Sequence, residues 1–334
     1  MKVSVIGAGS WGTALSQLLA ANGHNVGLWA RNPEVVASIN GRHVNPRYLS
    51  DVALSEGIVA TLSYGEALEG ARAVVVVTPS NLLREVARTL SPLIETDLPV
   101  VICSKGIEEG SGKLCTEIFE DELGNASRLA VLSGPNHAEE VIRQIPTATV
   151  IASRSPKAAD LFQGFFASDT FRTYVSDDVR GVELCAAFKN VIAIAVGLSF
   201  GLGFGDNTAA LLMTRGLAEM GRLVAACGGQ TRTCMGLAGM GDLVATCTSK
   251  HSRNRSFGEM LAAGKTIDDF NTQTHMVAEG ALACKTIQTL ADAYHVELPI
   301  TDIVRGIVWE GADMHGAALA LAKRPLTTEF WGMG

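Results

Sequence analysis

A lysine in the middle of an apolar helical stretch is the residue best suited to do chemistry in this sequence. Lys189 lies within residues 183–196, among alanine, valine, isoleucine and phenylalanine. Burying an ammonium group is costly, and a desolvated lysine loses proton affinity and becomes a usable acid or base near neutral pH. The alternative is a lysine whose alkyl chain carries its charge from the helix edge to solvent. Lys189 is therefore a candidate catalytic residue.

A glycine-rich loop near the N-terminus is the second candidate site. Gly7, Gly9 and Gly12 form the pattern G-x-G-x-x-G after the apolar run 2–6 and open a helical pattern. In such a loop the first glycine permits a tight turn, the second lets the backbone approach a pyrophosphate, and the third lets the helix pack closely. The pattern predicts a dinucleotide site, and an ordinary turn before a helix is the alternative.

The residues after the second predicted strand bear on the choice of dinucleotide. A carboxylate that would bind the ribose hydroxyls is missing from the sequence Leu-Trp-Ala-Arg-Asn at positions 28–32. Arg31 can instead pair with a 2′-phosphate, which favours NADP over NAD, unless it is a solvated loop charge. Tyr48 is a candidate for covering the cofactor, and a packing role is equally compatible with the sequence.

Polar residues also follow later strands of the predicted sheet. Lys105 comes after the strand 100–103, and the loop 133–140 carries Gly134 and Asn136. Ligands collect at the carboxyl ends of parallel strands, so these residues are candidates for contacting a polar ligand. For the loop, a simple strand-to-helix turn is the alternative interpretation.

A cationic segment in the second half predicts a phosphate site. Ser252, Arg253 and Asn254 lie in residues 250–255, where arginine, serine and asparagine offer donors suited to a phosphate monoester. A solvated basic loop is the alternative. Asp242, in a glycine-rich apolar turn, needs a cationic partner if it is buried, and Lys189 is the available one.

Composition limits the class of protein. With 334 residues, 47% of them hydrophobic, the chain is long enough for two packed domains. A net charge of −7 gives no support for nucleic acid or an anionic membrane as a partner. The seven cysteines lack zinc spacing, so we expect no metal site and reduced, buried thiols in a cytoplasmic protein. The longest apolar run, 191–204, is shorter than the roughly 20 residues of a bilayer span, so we expect no membrane insertion.

The pattern of elements predicts a two-domain α/β protein. Short β-branched runs at 2–6, 25–29, 73–77, 100–103, 129–132 and 147–152 alternate with helical patterns. This alternation is typical of a doubly wound, mostly parallel sheet. Beyond residue 177 helical windows rich in Ala, Leu and Met take over. We therefore predict a Rossmann-like domain at 1–178 and an all-helical domain at 179–334.

Taken together, these segments resemble the bacterial-type NAD(P)-dependent glycerol-3-phosphate dehydrogenases over nearly the whole chain. The matching segments include GAGSWGTAL, SKGIE, SGPNHAEEV, FKNVIAIA, GLAGMGDLVATCTS, SRNR and VAEG, in the family's order. The resemblance implies reversible reduction of dihydroxyacetone phosphate to glycerol 3-phosphate, for phospholipid synthesis, by a cytoplasmic homodimer with a C-terminal domain like that of 6-phosphogluconate dehydrogenase. A β-hydroxyacid dehydrogenase and a non-catalytic dinucleotide-binding redox sensor are the alternatives.

The resemblance also implies roles for individual residues. Lys189 matches the catalytic lysine, with Asn190 and Asp242 expected to orient it or the substrate hydroxyls. The substrate-binding positions matched are Lys105, Gly134, Asn136, Asp242, Ser252, Arg253 and Asn254. The cofactor-binding positions matched are Ser10, Trp11, Arg31, Lys105, Ala138, Arg253, Val277 and Glu279. The chain departs from the family pattern at Asn136, His137, Cys185-Ala186, Phe200 and Ala209, where the family usually has Ser or Thr, Phe, two glycines, Asp, and Lys or Arg.

Overall fold

The computed structural model describes residues 1–274, 279–317 and 328–329. Residue contacts divide the chain into two compact units. The first comprises Met1–Lys105 and Leu114–Val179, and the second comprises Gly106–Lys113 and Arg180–Gly334. The segment 106–113, which the predicted boundary assigned to the first domain, thus groups with the second unit.

The first unit contains an eight-stranded sheet. Its strands are β1 (Lys2–Ile6), β2 (Asn25–Trp29), β3 (Ile58–Thr61), β4 (Val74–Val76), β5 (Val100–Ile102), β6 (Leu129–Ser133), β7 (Thr147–Ala152) and β8 (Phe171–Ser176). They lie in the order β3-β2-β1-β4-β5-β6-β7-β8, and every neighbouring pair is parallel except β6 with β7. The first six follow the doubly wound order 3-2-1-4-5-6, which confirms the predicted mostly parallel sheet.

Two strands were not predicted, and both are edge strands of the sheet. β3 has only four residues, of which Val59 is exposed. β8 has no continuous apolar run, because Arg172 and Tyr174 point to the exposed side. The central strands β4 and β5 are fully buried and read as pure Val/Ile runs. Edge strands carry a weaker hydrophobic signal since part of their surface meets water.

Seven helices connect the strands of the first unit. They are α1 (Ser10–Ala21), α2 (Pro33–Arg42), α3 (Tyr64–Leu68), α4 (Leu83–Leu90), α5 (Cys115–Leu123), α6 (Ala138–Val141) and α7 (Pro156–Phe166). The apolar core joins α1 and α7 to the sheet through side chains such as Leu15, Leu19, Phe162 and Phe166.

The described part of the second unit contains helices and no strand, as predicted. Its helices are α8 (Val179–Gly201), α9 (Asp206–Ala226), α10 (Asp242–Thr248), α11 (Arg253–Ala262), α12 (Ile267–Thr274), α13 (Glu279–Ala293) and α14 (Pro299–Glu310). A single π-helical turn, Leu237–Gly241, precedes α10.

Helix α8 is the central helix of the second unit. It is long and apolar enough to cross a membrane, but 89% of its most apolar window is buried inside the protein, which is typical of a core helix. Glycines in α11 and α13 allow these two helices to approach the backbone of α8 closely. A Cβ atom on Gly258 of α11 would lie 2.2 Å from the carbonyl oxygen of Ile194, and one on Gly280 of α13 would lie 2.6 Å from that of Asn190. These contacts fix α11 and α13 against the segment that carries Lys189.

Candidate active site

Lys189 is buried in the second unit and is held by two side chains of α10. Only 7% of the residue is exposed. Its Nζ donates a hydrogen bond to Oδ1 of Asp242 and another, of 2.8 Å, to Oγ1 of Thr246. Asp242 is 2% exposed, so the ammonium has the buried carboxylate partner that the sequence predicted. Since a buried charge is costly without such a partner, this pair is what stabilises Lys189 in the core.

The backbone before α10 explains how Asp242 is positioned. The π-helical turn Leu237–Gly241 ends directly before Asp242, and such turns are frequent at functional sites. Within this turn a Cβ atom on Gly239 would lie 2.1 Å from the carbonyl oxygen of Cys234, so only glycine allows this approach. Thr246 follows Asp242 by four residues in one helix, which puts both side chains on one face.

Thr246 completes the site, although it was not among the residues predicted from the sequence. Its hydroxyl donates to the main-chain oxygen of Asp242 at 2.6 Å while accepting from Lys189. Four-residue spacing from a buried aspartate in a helix was the available signal. Thr246 limits the directions in which the lysine ammonium can point, and thus helps to fix its orientation.

The low polarity around Lys189 is reflected in the raised pKa of a neighbouring thiol, that of Cys247. Burial raises the pKa of Cys247 to about 12, and the positive charges of Lys189 and Arg255 oppose the rise. Cys247 is fully buried in α10. The lysine therefore lies in surroundings that strongly disfavour uncompensated charge, where electrostatic interactions are stronger than in water.

An amide network connects the neighbours of Lys189 and Arg253. Nδ2 of Asn254 donates to Oδ1 of Asn190 at 2.9 Å, and Oδ1 of Asn254 accepts from the N–H of Gly280 at 2.9 Å. Both asparagines are buried. Asn254, predicted as a phosphate donor, thus uses its amide to join α8, α11 and α13. The same bond brings the start of α11 close to the lysine segment.

The N-terminus of α11 has the features of an anion-binding helix end. Ser252 is its N-cap, and its Oγ accepts from the N–H of Arg255 at 3.2 Å. Arg253 is the first residue of the helix and is exposed. Helix N-termini favour negative charge, and an arginine beside one adds a bidentate donor.

Arg255 belongs to the same cationic segment but has a structural role. Its Nε donates to Oε1 of Glu259 at 2.9 Å, its Nη1 donates to the main-chain oxygen of Thr248 at 2.7 Å, and its guanidinium lies 4.8 Å from the ring centre of Phe200. Phe200 is one of the departures from the family pattern. Because Arg255 makes these contacts, fewer cationic side chains of residues 250–255 are available to bind a ligand than the sequence suggested.

In the first unit, the glycine loop has the geometry that a dinucleotide site needs. Gly7 has φ +121°, a value open only to glycine, and a Cβ atom there would lie 2.6 Å from the main-chain oxygen of Val77. A Cβ atom on Gly12 would lie 1.8 Å from the oxygen of Gly7. A Cβ on Gly9, in contrast, would meet nothing within 4 Å. The loop is therefore tightly packed at its first and third glycines and open at its second.

Two further observations fit a bound dinucleotide. Gly9 is the N-cap of α1 and has no side chain with which to cap this helix end, which begins with Ser10 and Trp11. Oγ1 of Thr78, after β4, is buried and has no hydrogen-bond partner among the described residues. β1 and β4 are where the strand order reverses, the usual binding position in such sheets. Polar atoms without partners at this position are suited to a ligand.

Asn45 supports the loop and was not anticipated from the sequence. It is fully buried, and its Nδ2 donates to the main-chain oxygen of Ala8 at 3.0 Å and to Oγ1 of Thr13 at 2.8 Å. Its Oδ1 accepts from the N–H groups of Arg47 and Tyr48. Asn45 thus ties the segment of the half-buried Tyr48 to the glycine loop. A lone asparagine in a loop gave no pattern by which to find it.

The other predicted residues of the first unit lie near strand ends. Arg31 is exposed and follows β2, while Lys105 is half-buried and follows β5. Asn136 donates to the main-chain oxygen of Ala148 at 2.9 Å, and its buried Oδ1 accepts no hydrogen bond from the part of the chain that the structure describes. Gly134 directly follows β6 and packs closely against β7, since a Cβ atom there would lie 2.9 Å from Cα of Thr149.

Of the three remaining residues of the cofactor prediction, two begin helices. Ala138 begins the short helix α6 and is buried, and Glu279 begins α13 and is half-buried. Val277 lies outside the described residues.

The predicted site residues fall into two groups. The structure brings together one group within the second unit, namely Lys189, Asn190, Asp242, Ser252, Arg253 and Asn254. Gly7, Gly9, Ser10, Trp11, Gly12, Arg31, Tyr48, Lys105, Gly134, Asn136 and Ala138 lie in the first unit.

Comparison with known proteins identifies the chain's relatives. A family model described as the NAD-dependent glycerol-3-phosphate dehydrogenase N-terminus matches residues 2–159, and the corresponding C-terminus model matches residues 178–318. A glycerol-3-phosphate dehydrogenase [NAD(P)+] of Nitratidesulfovibrio vulgaris (strain Hildenborough) is 48% identical over 98% of this chain and 100% of its own length. One from Clostridium tetani is 42% identical over 96% of this chain and 92% of its own.

Solved structures agree with this result. A glycerol-3-phosphate dehydrogenase from Coxiella burnetii superposes with a TM-score of 0.93 at 38% identity, covering 97% of this chain and 99% of that one. A ketopantoate reductase from Ralstonia eutropha is similar with a TM-score of 0.63 at 18% identity, covering 95% of this chain and all of that one, which shows a shared fold alone. The chain belongs to the NAD-dependent glycerol-3-phosphate dehydrogenase family.

Proposed function

We propose that the protein is an NAD(P)H-dependent dehydrogenase that reduces dihydroxyacetone phosphate to sn-glycerol 3-phosphate, with Lys189 as the general acid. The observation that carries the proposal is the buried ammonium of Lys189, which is held by Asp242 and Thr246. Lys189 is the one buried lysine or arginine among the described residues of the second unit. Family membership supports the same reaction, because relatives that match nearly the full chain bear this name.

Reduction of a ketone needs a hydride and a proton. A bound nicotinamide cofactor supplies the hydride. Lys189 donates a proton to the developing alkoxide oxygen, and in the oxidative direction the neutral amine takes the proton back. A positioned general acid typically contributes about 10² to 10⁴ in rate. Asp242 and Thr246 keep the ammonium in one orientation, which removes the cost of ordering it during the reaction.

The phosphate of the substrate is proposed to bind at the start of α11. Arg253 lies at the first position of this helix, and Ser252 caps it. The bond between Asn254 and Asn190 places this helix end beside the residue that follows Lys189. A phosphate held here orients the rest of the substrate, so binding energy far from the ketone contributes to the rate. Lys105, Gly134 and Asn136 are proposed as further substrate-binding residues on the resemblance.

The cofactor is proposed to bind to the glycine loop of the first unit. Gly7, Gly9 and Gly12, with the N-terminus of α1, receive the pyrophosphate, while Asn45 keeps the loop in shape. Arg31 is proposed to favour NADPH over NADH by pairing with the 2′-phosphate. Ser10, Trp11, Tyr48, Lys105, Ala138, Arg253, Val277 and Glu279 are proposed as further contacts on the resemblance.

Three finer statements rest on the resemblance to the family. We propose that the protein forms a homodimer, that it is cytoplasmic, and that its product is used in phospholipid synthesis. Helix α8 is compatible with a protein that does not insert into membranes, because it is buried in the second unit.

The experiment is a spectrophotometric assay of cofactor oxidation with dihydroxyacetone phosphate, run in parallel with NADPH and NADH. A small β-keto acid is the control substrate, since a β-hydroxyacid dehydrogenase would bind a carboxylate in place of a phosphate. Phosphate-dependent oxidation is the expected result. Activity with the keto acid alone would replace the proposal by that alternative, and cofactor binding without any turnover would favour a redox sensor.

A further inference from the structure

Two cysteine thiols approach each other beside the lysine site. Sγ of Cys185 and Sγ of Cys234 are 3.8 Å apart, and both are buried thiols that are not joined in a disulfide. Cys185 lies in α8, four residues before Lys189. Cys234 lies in the short 3-10 helix Thr231–Met235, just before the π-helical turn that leads to Asp242. The pair thus spans the two segments that bring the lysine and its carboxylate together.

The two thiols differ in how an oxidant can reach them. Cys185 is 0% exposed in the central helix, whereas Cys234 is 3% exposed next to Met235, which is 70% exposed. Thr231 and Arg232 of the same short helix are exposed as well. A single turn at the surface opens far more readily than a core helix. Cys234 is therefore the thiol that meets an oxidant first, and Cys185 is the one that reacts with it afterwards.

We propose that Cys185 and Cys234 form a reversible disulfide that switches the enzyme off under hydroperoxide. In the first step the Cys234 thiolate attacks a hydroperoxide, which yields Cys234 sulfenic acid and, after protonation, an alcohol or water. In the second step the Cys185 sulfur attacks the Cys234 sulfur and releases water. The two thiols lose two electrons and two protons in total, and the hydroperoxide takes them up.

The bond has a geometric consequence for the site. A disulfide needs about 2.05 Å between the sulfur atoms, so they must move together from their separation of 3.8 Å. Cys234 is packed against Gly239 of the π-helical turn, whose hypothetical Cβ would lie 2.1 Å from the Cys234 oxygen. A shift of Cys234 is therefore passed to the turn that positions Asp242. Misplacement of a catalytic group by 1 Å costs about 10² in rate.

The test has two independent readouts on the full-length protein. The protein is treated with excess hydrogen peroxide, remaining thiols are alkylated, and tryptic peptides are mapped by mass spectrometry. The expected cross-link joins the peptide 181–189 to the peptide 233–250, and fragmentation separates Cys234 from Cys247 in the latter. The second readout is the turnover of dihydroxyacetone phosphate, which rests on the proposed function. It is expected to fall about 10²-fold and to return with dithiothreitol.

Matched variants separate this switch from general oxidative damage. Cys185→Ala and Cys234→Ala are each expected to keep their activity in peroxide, while Cys227→Ala, another buried thiol of the second unit, is expected to lose activity like the wild type. Two outcomes would overturn the proposal: no cross-link between these peptides after peroxide treatment, or a complete cross-link with unchanged turnover. An untreated protein without activity would refute the proposed function alone, since the cross-link is mapped without turnover.

Discussion

A buried carboxylate outside the lysine site makes the stability of the second unit depend on pH. Glu219 of α9 is 3% exposed, and its carboxylate accepts hydrogen bonds from the N–H groups of Ile300 and Thr301 at the start of α14. Burial raises its pKa from 4.5 to about 7, although these N–H groups and the charge of Arg222 oppose the rise. The folded state therefore holds a proton that the unfolded state releases at lower pH.

The sign and size of the effect follow from this shift. The pKa of Glu219 is raised on folding. The contribution of Glu219 to the free energy of unfolding is therefore fully present below pH 4.5 and is lost as the pH rises through 7. A rise of about 2.5 in the pKa corresponds to roughly 3 kcal/mol, of which about 2–3 kcal/mol is lost between pH 5 and pH 8. For a unit of this size, that corresponds to about 5–10 °C in Tm.

The variant Glu219→Gln tests this reasoning, because glutamine keeps an acceptor oxygen and cannot ionise. Tm is measured by calorimetry for the variant and the wild type at pH 5 and at pH 8. The Tm of the variant minus that of the wild type should be about 5–10 °C larger at pH 8 than at pH 5. Glu69→Gln, at an exposed position of the first unit, is the control and should show no such shift. Parallel pH profiles for wild type and Glu219→Gln would refute a raised pKa at Glu219.

Three further predictions concern the binding sites. Arg253→Ala should raise the KM for dihydroxyacetone phosphate by about 10- to 150-fold, with a much smaller change in kcat, since a charged hydrogen bond is worth about 1.5–3 kcal/mol; Lys250→Ala is the control, and an unchanged KM would move the phosphate site elsewhere. Gly9→Ala should keep the wild-type Tm but weaken NADPH binding in a fluorescence titration, because its Cβ enters only the open space above the loop. Gly12→Ala should lower both, since its Cβ would lie 1.8 Å from the Gly7 oxygen, and equal behaviour of the two variants would contradict the assigned geometry. Arg31→Ala should weaken NADPH binding and leave NADH binding unchanged, and a parallel loss for both cofactors would exclude a 2′-phosphate contact.

The sequence predicted those features that have a strong local pattern. The buried β-branched runs of β4 and β5 and the glycine spacing of the first loop are each set by neighbouring residues. The pairing of Lys189 with Asp242 followed from an energetic argument, because two buried opposite charges in one unit need each other. In these cases the physical cause acts over a few residues or involves few candidates.

Other features depend on contacts between residues far apart in the chain, and the sequence could not show them. Asn254 resembles a ligand donor by its place next to Arg253, yet its amide joins three helices through Asn190 and Gly280. Asn45 supports the glycine loop from 37 residues away. The direction of a polar side chain is decided by packing around it, which a single sequence does not reveal.

The most direct measurement of the central claim compares turnover and cofactor binding in variants of Lys189. Lys189→Ala leaves the Asp242 carboxylate buried without its partner, which typically costs about 3–5 kcal/mol, so Lys189→Met combined with Asp242→Asn serves as a second variant without that charge. Both should bind NADPH with wild-type affinity, while kcat falls by about 10² to 10⁴. A folded variant with wild-type turnover of dihydroxyacetone phosphate would contradict the assignment of Lys189 as the general acid.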